Sequence, residues 1–170
     1  MQVRVAGVAL DAAGQHVILL KPLDDLPGSG SVLPIWIGQQ EATSILIAVE
    51  GATVPRPLAH DLMRGMLEAL DAVVERVEVT RIDEGTFYAE ITLTTPFGAR
   101  VIDARPSDAI ALASRVGAPI WVAEAVMTEA GVLDTLIENS SEDDDAEPDV
   151  AESLDEFKKF IDDIEPEDFR

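Results

Sequence analysis

The sequence predicts an α+β domain, in which helices pack on a mixed, largely antiparallel sheet, followed by an acidic C-terminal extension ending in an amphipathic helix. Two groups of short, β-branched segments separated by turn residues predict the antiparallel strands. Between and after them, apolar residues recur at helical spacing. An apolar fraction of 47% in a chain of 170 residues is enough for one folded core.

The first group of strands covers residues 3–37. Residues 3–10 and 16–21 read as two strands joined by a turn at residues 11–14, which predicts a hairpin. Residues 32–37 form a third strand, and Pro34 favours a position near a sheet edge because proline has no N–H for a ladder.

Two helices follow this strand group. Residues 39–50 carry apolar side chains at helical spacing and end before Gly51, and residues 58–72 form a second helix. Glu41 lies in the first turn of the first helix, where it either favours the helix dipole or points into a site. His60 and Asp61 lie in the first turn of the second. His60 is either a hydrogen-bonded surface histidine or a proton-transfer group.

The second strand group is a three-stranded meander over residues 73–103. Residues 73–83 alternate, with Val73, Val77 and Val79 predicted to share one face. Residues 86–95 alternate again, and the turn at residues 96–98 leads into a third strand at 99–103. A helix over residues 107–115, a short strand and a short helix complete the domain.

Asp103, Arg105, Ser107 and Asp108 lie within six residues at the junction between the last meander strand and this third helix. Pro106 suits the first turn of a helix, and we expect Ser107 or Asp108 to cap the free N–H groups. Such a junction can hold an anion at the helix N-terminus. The alternative is a plain capped helix start with an Asp–Arg pair.

Three segments are predicted: a domain over residues 1–137, an acidic and disordered linker over 138–152, and a C-terminal amphipathic helix over 153–170. Between residues 138 and 170 there are 15 acidic and 3 basic side chains, so most of the net charge of −21 lies in the extension. Ser153 and Glu156 have capping-box spacing. The apolar stripe consists of Leu154, Phe157, Ile161 and Ile164, flanked by Phe160. We expect this helix to dock on its own domain, a neighbouring subunit or another protein.

The composition narrows the classes of function. A chain this acidic does not resemble a protein that coats nucleic acid through lysine and arginine. The sequence has no cysteine, which excludes disulfides and thiolate metal sites. Neither a signal-peptide pattern nor an apolar run long enough to span a bilayer is present. We therefore expect a soluble, cytoplasmic protein that does not contact membranes.

Five segments, in this order, carry a family resemblance: Ile35-Trp36-Ile37-Gly38 with Glu41-Ala42, residues 56–62, Thr86-Phe87-Tyr88-Ala89, residues 103–112, and Pro119-Ile120. Together they resemble the bifunctional nuclease (BFN) domain family over about residues 1–135. Ala59 departs from the pattern, which is expected to carry a threonine there. The resemblance implies an α+β domain that forms homo-oligomers, with DNase and RNase activity attributed to some members.

Cleavage of a phosphodiester bond needs a base and stabilisation of charge on the phosphoryl oxygens. Carboxylates suit Mg²⁺ or Mn²⁺, which would assist the reaction, and no organic cofactor is expected. The candidate ligands are Glu41, Asp61, Asp103 and Asp108. His60 is the candidate base, Arg105 the phosphate-binding group, and Ser107 either a phosphate ligand or a cap. We expect these side chains, Ser107 apart, to converge on one cleft.

Two hypotheses of different classes follow. The first is a metal-assisted nuclease that cleaves DNA, RNA or both, as the motifs favour. The second is a non-catalytic oligomeric module that recruits a protein partner through its acidic tail, as the acidic charge and the scarcity of basic residues favour.

Overall fold

The computed structural model describes residues 1–24 and 30–134, and confirms the α+β class. The strands are β1 (Gln2–Leu10), β2 (His16–Pro22), β3 (Ser31–Trp36), β4 (Val73–Asp83), β5 (Thr86–Thr95), β6 (Gly98–Ala104), β7 (Ile120–Val122) and β8 (Val132–Leu133). The helices are α1 (Gln39–Glu50), α2 (Ala59–Ala69), α3 (Pro106–Val116) and α4 (Glu124–Ala130).

The strands form one mixed sheet in the order β6-β5-β4-β7-β1-β2-β3-β8. The predicted hairpin and meander are both present as antiparallel ladders, and the short strand β7 joins them. Ile120 lies opposite Val3 in an antiparallel pairing and opposite Val77 in a parallel one. A three-residue strand thus makes two groups of strands that are distant in sequence into a single sheet.

The core lies between this sheet and the helices. Ile18, Leu20, Leu33, Ile45 and Ile110 are all fully buried, and they come from β2, β3, α1 and α3. In α3 the buried residues include three alanines, whose small side chains let the helix approach the sheet closely. Helix α3 packs against both α1 and α2, so the three helices lie together on the sheet.

Two details of the strands refine the sequence predictions. The register of β3 with β8 covers Ser31 and Val32 and stops before Pro34, in keeping with the predicted position near an edge. In β4, a register shift between Val74 and Arg76 changes which side chains face the core. Val73 is therefore exposed and Val74 buried, so the prediction that Val73 shares the face of Val77 was wrong.

The predicted linker and C-terminal helix lie outside the described residues, so the boundaries at 137/138 and 152/153 stay predictions. Within residues 1–24 and 30–134, no helix is long and apolar enough to cross a membrane.

Candidate functional site

Arg105 links the first turn of α3 to the first turn of α1. Pro106 begins α3, and Arg105 precedes it with an extended backbone, as a residue before proline prefers. The guanidinium donates to both carboxylate oxygens of Asp108, at 2.7 Å from Nε and 3.1 Å from Nη2. Its Nη1 lies 3.0 Å from Oε1 of Glu41. Two carboxylates therefore hold Arg105 from two helices, in the fork geometry that favours planar recognition.

Behind this arginine, His60 connects α2 to both neighbouring helices. Its Nε2 lies 3.2 Å from Oδ1 of Asp108, and its Nδ1 lies 2.9 Å from Oγ of Ser44. Arg115 donates from Nη2 to the same Ser44 oxygen at 3.0 Å. Every group is satisfied when Ser44 donates to Nδ1 and the Nε2–H of His60 donates to Asp108. This hydrogen-bonded chain fixes the tautomer and orientation of the imidazole.

Asp61 joins the same network through Arg115. Its Oδ1 accepts from Nε of Arg115 at 2.8 Å, and its Oδ2 accepts from the backbone N–H of Leu58 at 2.9 Å, which caps α2. Arg115 is almost fully buried and also donates to the carbonyl of Ala111. Asp61 and Arg115 thus anchor the start of α2 to the end of α3.

The electrostatics of the network favour ionised carboxylates. Burial acts to raise the pKa of Asp108, but hydrogen bonds from Arg105 and His60 outweigh it and lower that pKa below its ordinary value. Burial also acts to raise the pKa of Asp61, but the hydrogen bonds from Leu58 and Arg115 outweigh it and lower that pKa below its ordinary value. The pKa of Arg105 is raised, first by Asp108 and then by Glu41.

A hollow of about 360 Å³ lies at the exposed side of Arg105, and we call it the arginine hollow. Its lining residues are Ile35, Trp36, Ile37, Gly38, Glu41, Gly85, Thr86, Phe87, Arg105, Pro106 and Ser107. The charged groups in this lining are Glu41 and Arg105. Asp108 and His60 stand behind Arg105 and do not line the hollow, so they position the arginine.

Gly38 makes room for the carboxylate of Glu41. A Cβ atom built on Gly38 would contact Oε2 of Glu41 directly. The backbone of Gly38 has φ −72° and ψ 158°, which any residue can adopt. Glycine is therefore favoured here by the space that the Glu41 side chain needs beside Arg105, and not by backbone conformation.

Glu41, His60, Arg105 and Asp108 lie together as predicted, because Glu41 and Asp108 bind Arg105 and His60 binds Asp108. Of these four, Glu41 and Arg105 line the arginine hollow, whereas His60 and Asp108 do not. Asp61 joins them through Arg115. Ser107 lines the arginine hollow, but the predicted capping by Ser107 or Asp108 was wrong. Arg105 occupies the N-cap, and the carboxylate of Asp108 binds its guanidinium instead.

Asp103 is the member of the predicted set that lies elsewhere. It lies opposite Glu90 in the β5–β6 ladder, whereas its neighbour Ala104 lies opposite the buried Ala89. Successive side chains of a strand point to opposite faces of the sheet. Asp103 therefore faces away from the core and α3, although only one residue separates it from Arg105, so its predicted place in the cleft was wrong.

The predicted metal ligands are not brought together. In the part of the chain that the structure describes, no three histidine, aspartate or glutamate side chains are placed to hold one metal ion. Glu41 and Asp108 bind Arg105, Asp61 binds Arg115, and Asp103 faces the other side of the sheet. These residues do not fit a preassembled centre for Mg²⁺ or Mn²⁺.

Residues 23–135 match the family model of the bifunctional nuclease domain. The chain belongs to the bifunctional nuclease domain family, as its motifs predict.

Relatives of two kinds are similar to this chain. An uncharacterized protein of Mycobacterium tuberculosis is 38% identical over 170 residues, which cover 99% of this chain and 98% of that protein. Bifunctional nuclease 1 of Oryza sativa subsp. indica is 29% identical over 72% of this chain, and Bifunctional nuclease 1 of Arabidopsis thaliana is 30% identical over 66%. The matched regions span 37% and 34% of those plant proteins.

Proposed function

We propose that the protein hydrolyses phosphodiester bonds of nucleic acid in the arginine hollow. The observation that carries this proposal is Arg105, whose side chain is 65% exposed at the hollow while two carboxylates hold it in place. A fixed, accessible guanidinium is suited to bind a phosphate with two hydrogen bonds. Family membership and the names of the plant relatives support this reaction class.

The proposed reaction uses Glu41 and Arg105 at the phosphate. The oxygen of a water molecule forms a bond to phosphorus while the ester bond from phosphorus to the leaving oxygen breaks. Glu41, the carboxylate of the hollow, accepts one proton from that water, and the leaving oxygen takes a proton from solvent. Arg105 stabilises the negative charge that develops on the phosphoryl oxygens.

Asp108 and His60 act in this proposal as positioning residues. The buried His60 has both ring nitrogens engaged, by Ser44 and Asp108, so neither is free to take a proton from water. The geometry therefore favours Glu41 over His60 as the base. Assistance by Mg²⁺ or Mn²⁺ stays a prediction.

The test is cleavage of DNA and RNA by highly purified protein, with Mg²⁺, with Mn²⁺ and with EDTA. Arg105→Ala should remove cleavage, and Arg105→Lys should restore little because lysine cannot bind bidentately. Asp103→Ala is the matched control, because it removes a charge close in sequence but on the other face of the sheet. Cleavage that remains unchanged in Arg105→Ala would overturn the proposed site.

A second candidate function, an oligomeric binding module, is favoured by the surface of α2. His60 is the one residue of α2 that is buried, whereas Leu62 and Met66 are each 57% exposed and Leu70 after the helix is 69% exposed. Contiguous exposed apolar side chains are typical of interaction surfaces. If the protein forms homo-oligomers through this surface, Met66→Asp should weaken them, and light scattering would show a lower molar mass in solution. A molar mass equal to that of the wild type would show that the oligomer does not form through this surface. Recruitment of a partner through the acidic tail is part of the same alternative.

A further inference from the structure

The exposed indole of Trp36 is held in a fixed orientation at the end of β3. It is 54% exposed, yet its Nε1–H donates to Oδ2 of Asp11 at 2.9 Å. The other oxygen of Asp11 accepts from the backbone N–H groups of Ala13 and Gln15, at 2.9 and 2.8 Å. The carboxylate is thus anchored in the β1–β2 turn, and it fixes the indole in turn. A fixed aromatic surface loses little conformational freedom when a ligand stacks on it.

Trp36 is also the wall between two hollows. The arginine hollow lies on one side, and on the other lies a hollow of about 440 Å³, which we call the turn hollow. The turn hollow is lined by Gly14, Gln15, His16 and Gln39, and it shares Trp36, Ile37 and Gly38 with the arginine hollow. A ligand that extends from Arg105 across Trp36 would therefore contact both hollows.

We propose that this surface binds single-stranded nucleic acid, with an unpaired base stacked on Trp36 and the neighbouring phosphate on Arg105. That the ligand is a nucleic acid rests on the proposed nuclease function, and the inference specifies single strands as the substrate class of the arginine hollow. Aromatic side chains beside a cationic group are the means by which proteins hold single strands, and stacking suits every base. In a duplex the bases are paired and stacked on one another, so none is available to Trp36.

The charge of the protein also favours single strands over duplex as the ligand. Among the described residues that line the two hollows, Arg105 alone is an arginine or lysine. Binding to duplex DNA draws its affinity from many phosphate contacts by lysine and arginine, which a chain of net charge −21 does not offer here. One phosphate contact with one stacked base is the recognition that these residues can supply. Such recognition should depend little on the base sequence of the nucleic acid, and little on whether its sugar is ribose or deoxyribose.

Binding is best measured on the full chain, apart from cleavage. Fluorescence anisotropy in EDTA would compare a labelled oligothymidylate, an oligouridylate of the same length and a blunt-ended duplex without a loop. Trp36→Ala should raise the Kd for both single strands about tenfold or more, and Trp36→Phe should largely preserve it. Trp121→Phe is the matched control, because Trp121 lies in β7 and lines neither hollow.

The same control variant provides a direct optical readout. The chain has two tryptophans, so in Trp121→Phe the emission arises from Trp36 alone, and a stacked base should quench it. Thermal melting of each variant would verify folding. Single-strand binding that Trp36→Ala leaves unchanged, or duplex binding as tight as single-strand binding, would overturn the inference.

Failure of this inference and failure of the proposed function give different results. Cleavage that requires Arg105 but is equal on single strands and duplex, and indifferent to Trp36→Ala, refutes only the substrate class. Single-strand binding that requires Trp36, without cleavage under any metal condition, refutes the nuclease and leaves a single-strand binding site.

Discussion

The two arginines of the network differ in exposure although both hold carboxylates. Arg115, in the last turn of α3, has a side chain that is 3% exposed, and it binds Asp61, Ser44 and the Ala111 carbonyl. Arg105, just before the first turn, is 65% exposed and binds Glu41 and Asp108. The buried arginine has all its partners inside the fold, whereas the exposed one presents a face to the arginine hollow. The same residue type therefore joins buried elements at one end of the helix, and at the other end it is exposed at the hollow where we propose that a phosphate binds.

Removing the buried arginine should have the largest effect on stability. Arg115→Met removes the donor to Oδ1 of Asp61 and to Oγ of Ser44, although Asp61 keeps its bond from Leu58. Breaking a buried pair by removing one partner costs about 3–5 kcal/mol, and this pair, whose aspartate is 20% exposed, should lie near the lower value. Urea denaturation would measure the free energy of unfolding. A loss below about 1 kcal/mol would show that Arg115 is not the anchor between α2 and α3.

Removing the exposed arginine should affect stability far less. Exposed ion pairs contribute about 0–1 kcal/mol, so Arg105→Ala should lower the free energy of unfolding by no more than that. The same variant should lose binding of the single strand, because the phosphate contact is gone. Equal destabilisation by Arg105→Ala and Arg115→Met would contradict the division of roles between the two ends of α3.

From the sequence we predicted the residues at the start of α3, but not Ser44 and Arg115, which complete the network. Arg105 and Asp108 stand in a short motif at a strand-to-helix junction, where proline and backbone preferences determine the local structure. Ser44 and Arg115 lie inside helices, and their roles depend on packing between α1, α2 and α3. A signal was present, since Ser44 follows Glu41 by three residues and Arg115 follows Asp108 by seven, spacings that share a helix face.

Asp103 is the opposite kind of error, a residue that was predicted to lie in the site and does not. Closeness in sequence to Arg105 and Asp108 suggested a shared site, but the alternation of side chains along β6 places Asp103 on the other face. The strand pattern before the junction was recognised, and its period of two was sufficient to separate Asp103 from the site. The short strand β7, by contrast, was predicted as a strand, while its place between β1 and β4 depends on contacts that are distant in sequence.

Low pH should weaken the ion pairs at both ends of α3, which involve Asp108 and Asp61. Both have a pKa below the ordinary 3.8 in the folded protein, so the unfolded chain binds protons first as the pH falls. Their contribution is complete above about pH 5 and is lost as the pH falls through the folded values. The difference in the free energy of unfolding between wild type and Asp108→Asn should therefore shrink as the pH falls from about 5 to 3. A constant difference down to pH 3 would contradict the lowered pKa of Asp108.

The last variant, Gly38→Ala, tests whether the carboxylate of Glu41 must lie beside Arg105, and its expected effect on stability is small. In Gly38→Ala the backbone can stay as it is, but the new methyl group occupies the place of the Glu41 carboxylate, which must move away. Asp108 still holds Arg105, and alanine is a poorer N-cap than glycine by up to about 1 kcal/mol, so the free energy of unfolding should fall by no more than about that amount. Cleavage should nevertheless fall about tenfold, because the proposed base is displaced from the water that it deprotonates. Gly65→Ala, in the exposed middle of α2 with open space around it, is the matched control and should leave cleavage unchanged. If both variants cleave at the wild-type rate, the position of the Glu41 carboxylate does not matter, and the exposed Arg105 acts without it.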